Sequence, residues 1–70
     1  MYVIAEYKIN GGENEIEIVP GSWYDESAQT CWWPPSTFTF SQINHHVLKK
    51  TPPNPETWIS YEADIIATFS

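Results

Sequence analysis

Arginine is absent, and the basic side chains number three: Lys8, Lys49 and Lys50. Against nine acidic residues they leave a formal charge of −6 and an isoelectric point near 4.5. Duplex nucleic acid is held chiefly by Lys and Arg neutralising phosphates. A chain of this sign is repelled by DNA and RNA, and an anionic membrane surface is disfavoured for the same reason. No apolar run approaches the roughly 20 residues of a membrane-spanning helix. The opening Met1-Tyr2-Val3-Ile4-Ala5-Glu6 lacks the basic start and long apolar core of a secretory signal. Cysteine occurs once, at Cys31, so no internal disulfide can form. With no Asn-x-Ser/Thr acceptor either, the sequence points to a reducing, intracellular home.

What the chain has instead is aromatic bulk: four Trp, four Tyr and three Phe in 70 residues. A length of 70 allows one small domain, residues 1–70, and domains of this size keep roughly 3–5 kcal/mol of stability. Large rings bury much area per residue, which makes a compact core feasible without a disulfide or a metal.

Tyr2 to Ile9 alternates as a strand, with Val3, Ala5, Tyr7 and Ile9 on one face and Tyr2, Ile4, Glu6 and Lys8 on the other. Asn10-Gly11-Gly12-Glu13-Asn14 supplies turn residues tolerant of positive φ. Glu15-Ile16-Glu17-Ile18-Val19 alternates again and is stopped by Pro20-Gly21, completing a hairpin. This alternation predicts Ile16 and Ile18 inside and Glu13, Glu15 and Glu17 outside, where the acids would guard the strand edge. Thr30-Cys31-Trp32-Trp33 is a short β-prone run ended by Pro34-Pro35, and Phe38 and Phe40 alternate with polar neighbours as an extended piece. Ser41 is a candidate cap for a short amphipathic helix, Gln42 to Lys50, with Ile43 and Val47 on one face. Pro52-Pro53-Asn54-Pro55 ends it. Thr57 to Phe69 reads as a long strand whose apolar face is Ile59, Tyr61, Ala63, Ile65, Ala67 and Phe69, with Ile66 out of phase. The expected fold is mainly β: a small, strongly bent antiparallel sheet of three to four strands, like an SH3-like or Tudor-like barrel, with one short helix. The chain stops at the end of a strand, which reads as the N-terminal part of a longer protein.

Val19-Pro20-Gly21-Ser22-Trp23 and Cys31-Trp32-Trp33-Pro34-Pro35, followed by a short helix, a Pro-rich link and a Trp-containing strand, form an ordered pattern. It resembles the N-terminal segment (Val-Pro-x-x-Trp … Cys-x-Trp-Pro-Pro) of transposon-derived arthropod proteins of unknown function. The resemblance covers nearly the whole chain. It implies a nuclear setting and an interaction module attached to other domains, and it implies no catalytic residue.

Cys31 with His45 or His46 is the one Cys/His combination available for nucleophilic chemistry. Set between Thr30 and two Trp, Cys31 reads as a small buried hydrophobe. His45 and His46 are adjacent, so on a helix they point about 100° apart and do not share one ion. No catalytic, cofactor or metal role is assigned. Pro52-Pro53-Asn54-Pro55 has the PxxP spacing of an SH3 or WW ligand and reads as a stiff connector.

The aromatics carry the functional expectation. Neighbours on a strand face opposite ways, so Trp32 and Trp33 cannot both point inward. Sharing a side with Cys31, Trp33 is the core candidate and Trp32 the surface candidate. A partner-binding surface is expected at Trp32, Trp23, Trp58, Tyr24 and Trp33, with acidic residues on its rim favouring a basic protein or peptide. The sharper form is an aromatic cage for methylated lysine. The alternative is a homodimer built on Ile4, Ile66 and the Trp surface.

Overall fold

The computed structural model describes residues 1–9 and 11–70. Strands β1 (Tyr2–Tyr7), β2 (Glu15–Pro20), β3 (Tyr24–Asp25), β4 (Thr30–Trp33) and β5 (Ile59–Phe69) form one antiparallel sheet in the order β2-β1-β5-β4-β3, with one helix, α1 (Phe40–Lys49). Five strands replace the three to four expected. The additional pairing comes from β3, whose two residues are too short to carry a periodic pattern. The mainly β class and the single helix agree with the sequence.

A single 3-10 turn, Gly21–Trp23, carries the chain from β2 at one edge of the sheet to β3 at the other. Laid flat, five strands would set those edges about 19 Å apart, at about 4.8 Å per neighbour. A three-residue 3-10 turn advances only about 6 Å. The sheet therefore curls until its edges approach. The long β5 makes this possible by serving two partners, β4 through Ile59–Glu62 and β1 through Ala63–Phe69. Among the described residues no ladder joins β2 to β3, so the sheet is not closed.

The inner face holds Val3, Ala5, Tyr7, Val19, Cys31 and Ala63, sealed by Trp23 and Trp58, whose rings meet edge to face at 4.9 Å. The polar atoms these rings take inside have partners. The Trp23 indole N–H donates to the Thr51 carbonyl at 2.8 Å, and the Tyr7 hydroxyl donates to the Trp32 carbonyl at 2.9 Å. Trp58 is driven inward by a tight turn in which the Asn54 carbonyl accepts from the N–H groups of Thr57 and Trp58, and Asn54 Oδ1 accepts from Glu56.

Four expectations about local structure are corrected. Ile16 and Ile18 lie 60% and 54% exposed, because the register pairs Val19 with Val3 and Glu17 with Ala5 on the inner face. Alternation left two phases open. Val19, leading into the turn that tucks Trp23 under the sheet, fixed the phase. Secondly, the apolar face of β5 breaks at a register shift. Ala5 pairs with Ile65 but Ile4 with Ala67, so Ile66 is the extra residue of a bulge and Phe69 pairs with Tyr2 on the outer face. Thirdly, the helix starts earlier. Thr39 is its cap, accepting from Gln42 N at 3.2 Å while Gln42 Oε1 accepts from Thr39 N at 2.7 Å, a reciprocal capping box. Fourthly, Phe38 sits in a turn closed by the Pro35 carbonyl and not in an extended piece. In the hairpin loop, Gly11 takes the positive φ (72°) expected of it, whereas Asn10 lies outside the described residues.

Helix α1 ends at Lys50, in the left-handed conformation, and its last turn is tied down through Thr51. The Thr51 N–H donates to the His46 carbonyl, its hydroxyl lies 2.9 Å from His46 Nδ1, and its carbonyl takes the Trp23 bond. His46 is half-buried beside Phe38, at 5.2 Å between rings, and His45 is exposed.

Candidate functional site

Pairing across four strands builds a groove on the inner face. Tyr7 on β1 pairs with Glu15 on β2 and with Ala63 on β5, while Cys31 on β4 pairs with Tyr61. Direct cross-strand partners share a face, so Tyr7, Glu15, Glu17 and Tyr61 all turn the same way. Trp33, two residues beyond Cys31, joins them. With Ile9, they line a groove of about 250 Å³. Tyr7 is its floor. Trp33 stands against Tyr7 at 5.6 Å and 73°, and Tyr61 at 6.1 Å and 81°.

The electrostatics are one-sided. Glu15 and Glu17 sit on the groove wall, and among the described residues no basic side chain lines it. Partial burial, with Glu15 alongside, pushes the Glu17 carboxyl above the usual carboxylate range. Lys8 is on the other face, paired with Asp64 at 3.0 Å and with Glu6 at 3.9 Å. Burial also pushes the Tyr7 phenol far up, so it stays protonated and keeps its bond to Trp32.

Beyond Trp33 and Glu17, which line both, a smaller recess of about 110 Å³ opens between β2 and the helix, walled by Ile18, Phe40, Ile43 and Val47. Phe40 is 88% exposed. A polypeptide lying over Trp33 would meet an acidic aromatic groove on one side and an apolar recess on the other.

No known protein family, curated protein or solved structure matches this chain.

Of the five aromatic positions singled out in the sequence, Trp23, Trp33 and Trp58 pack together around the core, while Trp32 and Tyr24 do not join one face with them. Trp23 is 0% exposed and Trp58 7%, so both belong to the core and can shape a binding face but not present one. Trp32 and Trp33 are both half-buried and on opposite faces, with Trp33 on the side of Cys31 as alternation predicts. Trp33 contacts Trp23 edge to face at 6.2 Å. Tyr24 pairs with Cys31 but lines a separate, more open depression with Met1, Glu26 and Asp64. Of the five, Trp33 alone reaches the groove. The sequence missed Tyr7 and Tyr61, and of the three glutamates it placed outside, Glu13 and Glu15 are exposed whereas Glu17 is half-buried. The available signal for Glu17 was Val19, whose burial puts the residue two before it on the inner face.

The Cys/His combination is also separated. Cys31 is fully buried against the Tyr7 hydroxyl at 3.0 Å, and burial pushes its thiol up, away from the nucleophilic thiolate. His46 is engaged with Thr51. Among the described residues no group of three or more His, Cys, Asp or Glu could hold a metal ion. No helix among them is long and apolar enough to cross a membrane.

Proposed function

We propose that this chain is a non-catalytic protein-interaction module that takes a basic segment of a partner into the Trp33–Tyr7–Tyr61 groove. The observation that carries this reading is a ring-lined groove holding two carboxylates and, among the described residues, no cation of its own. Glu17 is partly desolvated and shares a strand face with the exposed Glu15, which repels it, and a cationic side chain beside them relieves both costs. The apolar recess beside Phe40, Ile43 and Val47 suits a hydrophobic residue next to the basic one. A curled sheet of this size is the framework of a small SH3-like or Tudor-like barrel. The resemblance to the transposon-derived family supports a nuclear, chromatin-associated parent protein. A peptide array tests the reading, with acidic, neutral and basic members and every lysine in each methylation state. Bound members should carry a basic residue and lose signal with the double variant Glu15→Gln/Glu17→Gln. Binding without preference for basic members refutes it.

A second reading is favoured by the outer face, where Ile18, Ile4 and Ala67 form one cross-strand row flanked by exposed Ile16 and Ile66. A second copy of the chain could cover it in a two-fold dimer. Light scattering over a concentration series checks this, and a constant monomer mass at millimolar concentration excludes it.

A further inference from the structure

We propose that the partner segment binds as an added strand on the free edge of β2, antiparallel to it, with apolar and basic residues in alternation. This rests on the preceding reading and says how the basic segment is held.

The backbone comes first. The Lys8 N–H donates to the Glu62 carbonyl at 2.8 Å, so Lys8 turns its backbone groups toward β5. Backbone direction alternates along a strand, so Tyr7, Ala5 and Val3 turn theirs toward β2. Their partners there are Glu15, Glu17 and Val19. The Gly21 N–H, next in that odd-numbered series, donates to the Met1 carbonyl at 2.9 Å. Ile16 and Ile18 therefore point their N–H and C=O groups away from β1. On that side β2 is the outermost strand, and among the described residues no turn or loop bond reaches those groups. Pro20 fits the same phase, because the N–H it lacks would face outward, where an edge strand tolerates proline.

The side chains select the occupant. Ile16 and Ile18 are exposed on the outer face, whereas Glu15 is exposed and Glu17 half-buried on the inner face. In an antiparallel addition, the residues opposite Ile16 and Ile18 exchange both backbone bonds with them. Those residues share the outer face and extend the row of Ala67, Ile4 and Ile18, so apolar side chains suit them. The residue between them lies opposite Glu17 on the inner face, where a basic side chain is matched. The recess beside α1 opens at this same edge, since Ile18 lines it from the outer face and Glu17 and Trp33 from the inner. Phe40, Ile43 and Val47 give the apolar side chain opposite Ile18 a second wall.

A second copy of β2 does not meet these demands. Paired antiparallel about Glu17 or about Ile16, it sets acid opposite acid, which is destabilising. Paired about Ile18, it sets Pro20, which has no N–H to give, opposite Ile16. The edge rejects its own sequence and accepts a strand in which lysine or arginine stands where β2 has glutamate. Strand addition of this kind draws affinity from main-chain bonds and specificity from alternate side chains.

The test uses the isotopically labelled protein and NMR. In the free protein the Ile16 and Ile18 amides should exchange with solvent at least about tenfold faster than those of Glu17 and Val19. Short peptides are then titrated: Val and Lys alternating, the same composition with Val and Lys in separate blocks, and Val and Thr alternating. Two more copies of the first carry backbone N-methyl groups on the valines or on the lysines. The alternating Val/Lys peptide should bind about tenfold tighter than the block and Val/Thr peptides, and it should slow exchange at Ile16 and Ile18. N-methyl groups on the valines should abolish binding. On the lysines, whose N–H groups face away from β2, they should leave it within about threefold. Protected Ile16 and Ile18 amides in the free protein, equal binding of the block peptide, unchanged binding with N-methylated valines, or loss with N-methylated lysines overturns strand addition and leaves the basic-partner reading standing. Equal binding of the Val/Thr peptide overturns both, as does the absence of any shift up to millimolar peptide.

Discussion

The substitution Tyr7→Phe removes one oxygen from the centre of the molecule and tests how the groove floor is held. Tyr7 is buried, and its hydroxyl donates to the Trp32 carbonyl at 2.9 Å and lies 3.0 Å from Cys31 Sγ. The phenyl ring left behind would keep the packing against Trp33 and Tyr61, so hydrophobic burial is nearly unchanged. What is lost is a buried hydrogen bond, leaving a strand carbonyl facing a void the size of a hydroxyl. Leaving a buried acceptor unmatched costs about 1–3 kcal/mol. Taking about 1.5 kcal/mol, and a shift of about 4–8 °C per kcal/mol for a domain of this length, the melting temperature should fall by about 6–12 °C. Against a total of roughly 3–5 kcal/mol, the variant stays mostly folded at 25 °C. Urea unfolding followed by Trp fluorescence measures it, with an unchanged slope showing that the same surface is exposed on unfolding. A loss below about 0.5 kcal/mol would refute the reasoning, since it would mean that water or a shift of β4 replaces the bond.

Ile18→Ala should cost less than about 1 kcal/mol in the same assay, because the side chain is half exposed, whereas a buried isoleucine would cost about 2–5. Glu17→Gln should raise the urea midpoint at neutral pH. The Glu17 carboxyl is raised above its ordinary value, so the folded state binds the proton more tightly and stability falls as pH rises from the ordinary to the raised value. The gain should vanish below the ordinary carboxylate range, where both side chains are neutral, and a midpoint lowered at pH 7 would contradict it. Thr39→Ala should cost about 1 kcal/mol by breaking the capping box, read as lost helical circular dichroism on mild heating.

Much of the fold was legible because β1 and the first half of β5 alternate over a long enough run to leave one assignment. Val3, Ala5 and Tyr7, and then Tyr61, Ala63 and Ile65, turn inward as their period requires. The second strand was not legible in the same way. Glu15-Ile16-Glu17-Ile18 favours one phase by hydrophobicity, but Val19 and the turn to Trp23 favour the other. A fully buried valine and tryptophan outweigh two half-exposed isoleucines. The groove was hidden by that inversion, since its acidic wall depends on the phase of β2. The bulge at Ile66 left a trace, an isoleucine out of step, without saying which way the strand would resume. The five aromatic candidates shared a composition argument, but only Trp23, Trp33 and Trp58 share a location, and it is the core. Only the register of β4 on β5 shows that Trp33 looks into the groove and Trp32 away from it.

Thr51 joins three parts of the molecule through its carbonyl, its hydroxyl and its N–H, binding Trp23 and the His46 end of the helix at one residue. A helix with no fully buried residue would ordinarily fray and re-form by itself, exchanging its amide protons faster than the sheet does. Here the last turn cannot lift without stripping the acceptor from an indole at the bottom of the core. The amides of Val47 and Lys50 and the Trp23 indole proton should therefore exchange as one unit, with a common opening free energy close to that of global unfolding. The front turn, held by Thr39 alone, is free to open on its own. The apolar recess beside Phe40 and Ile43 thus has one yielding wall and one anchored wall, and a bound segment can widen it from the Phe40 end without loosening the rings beneath Trp33.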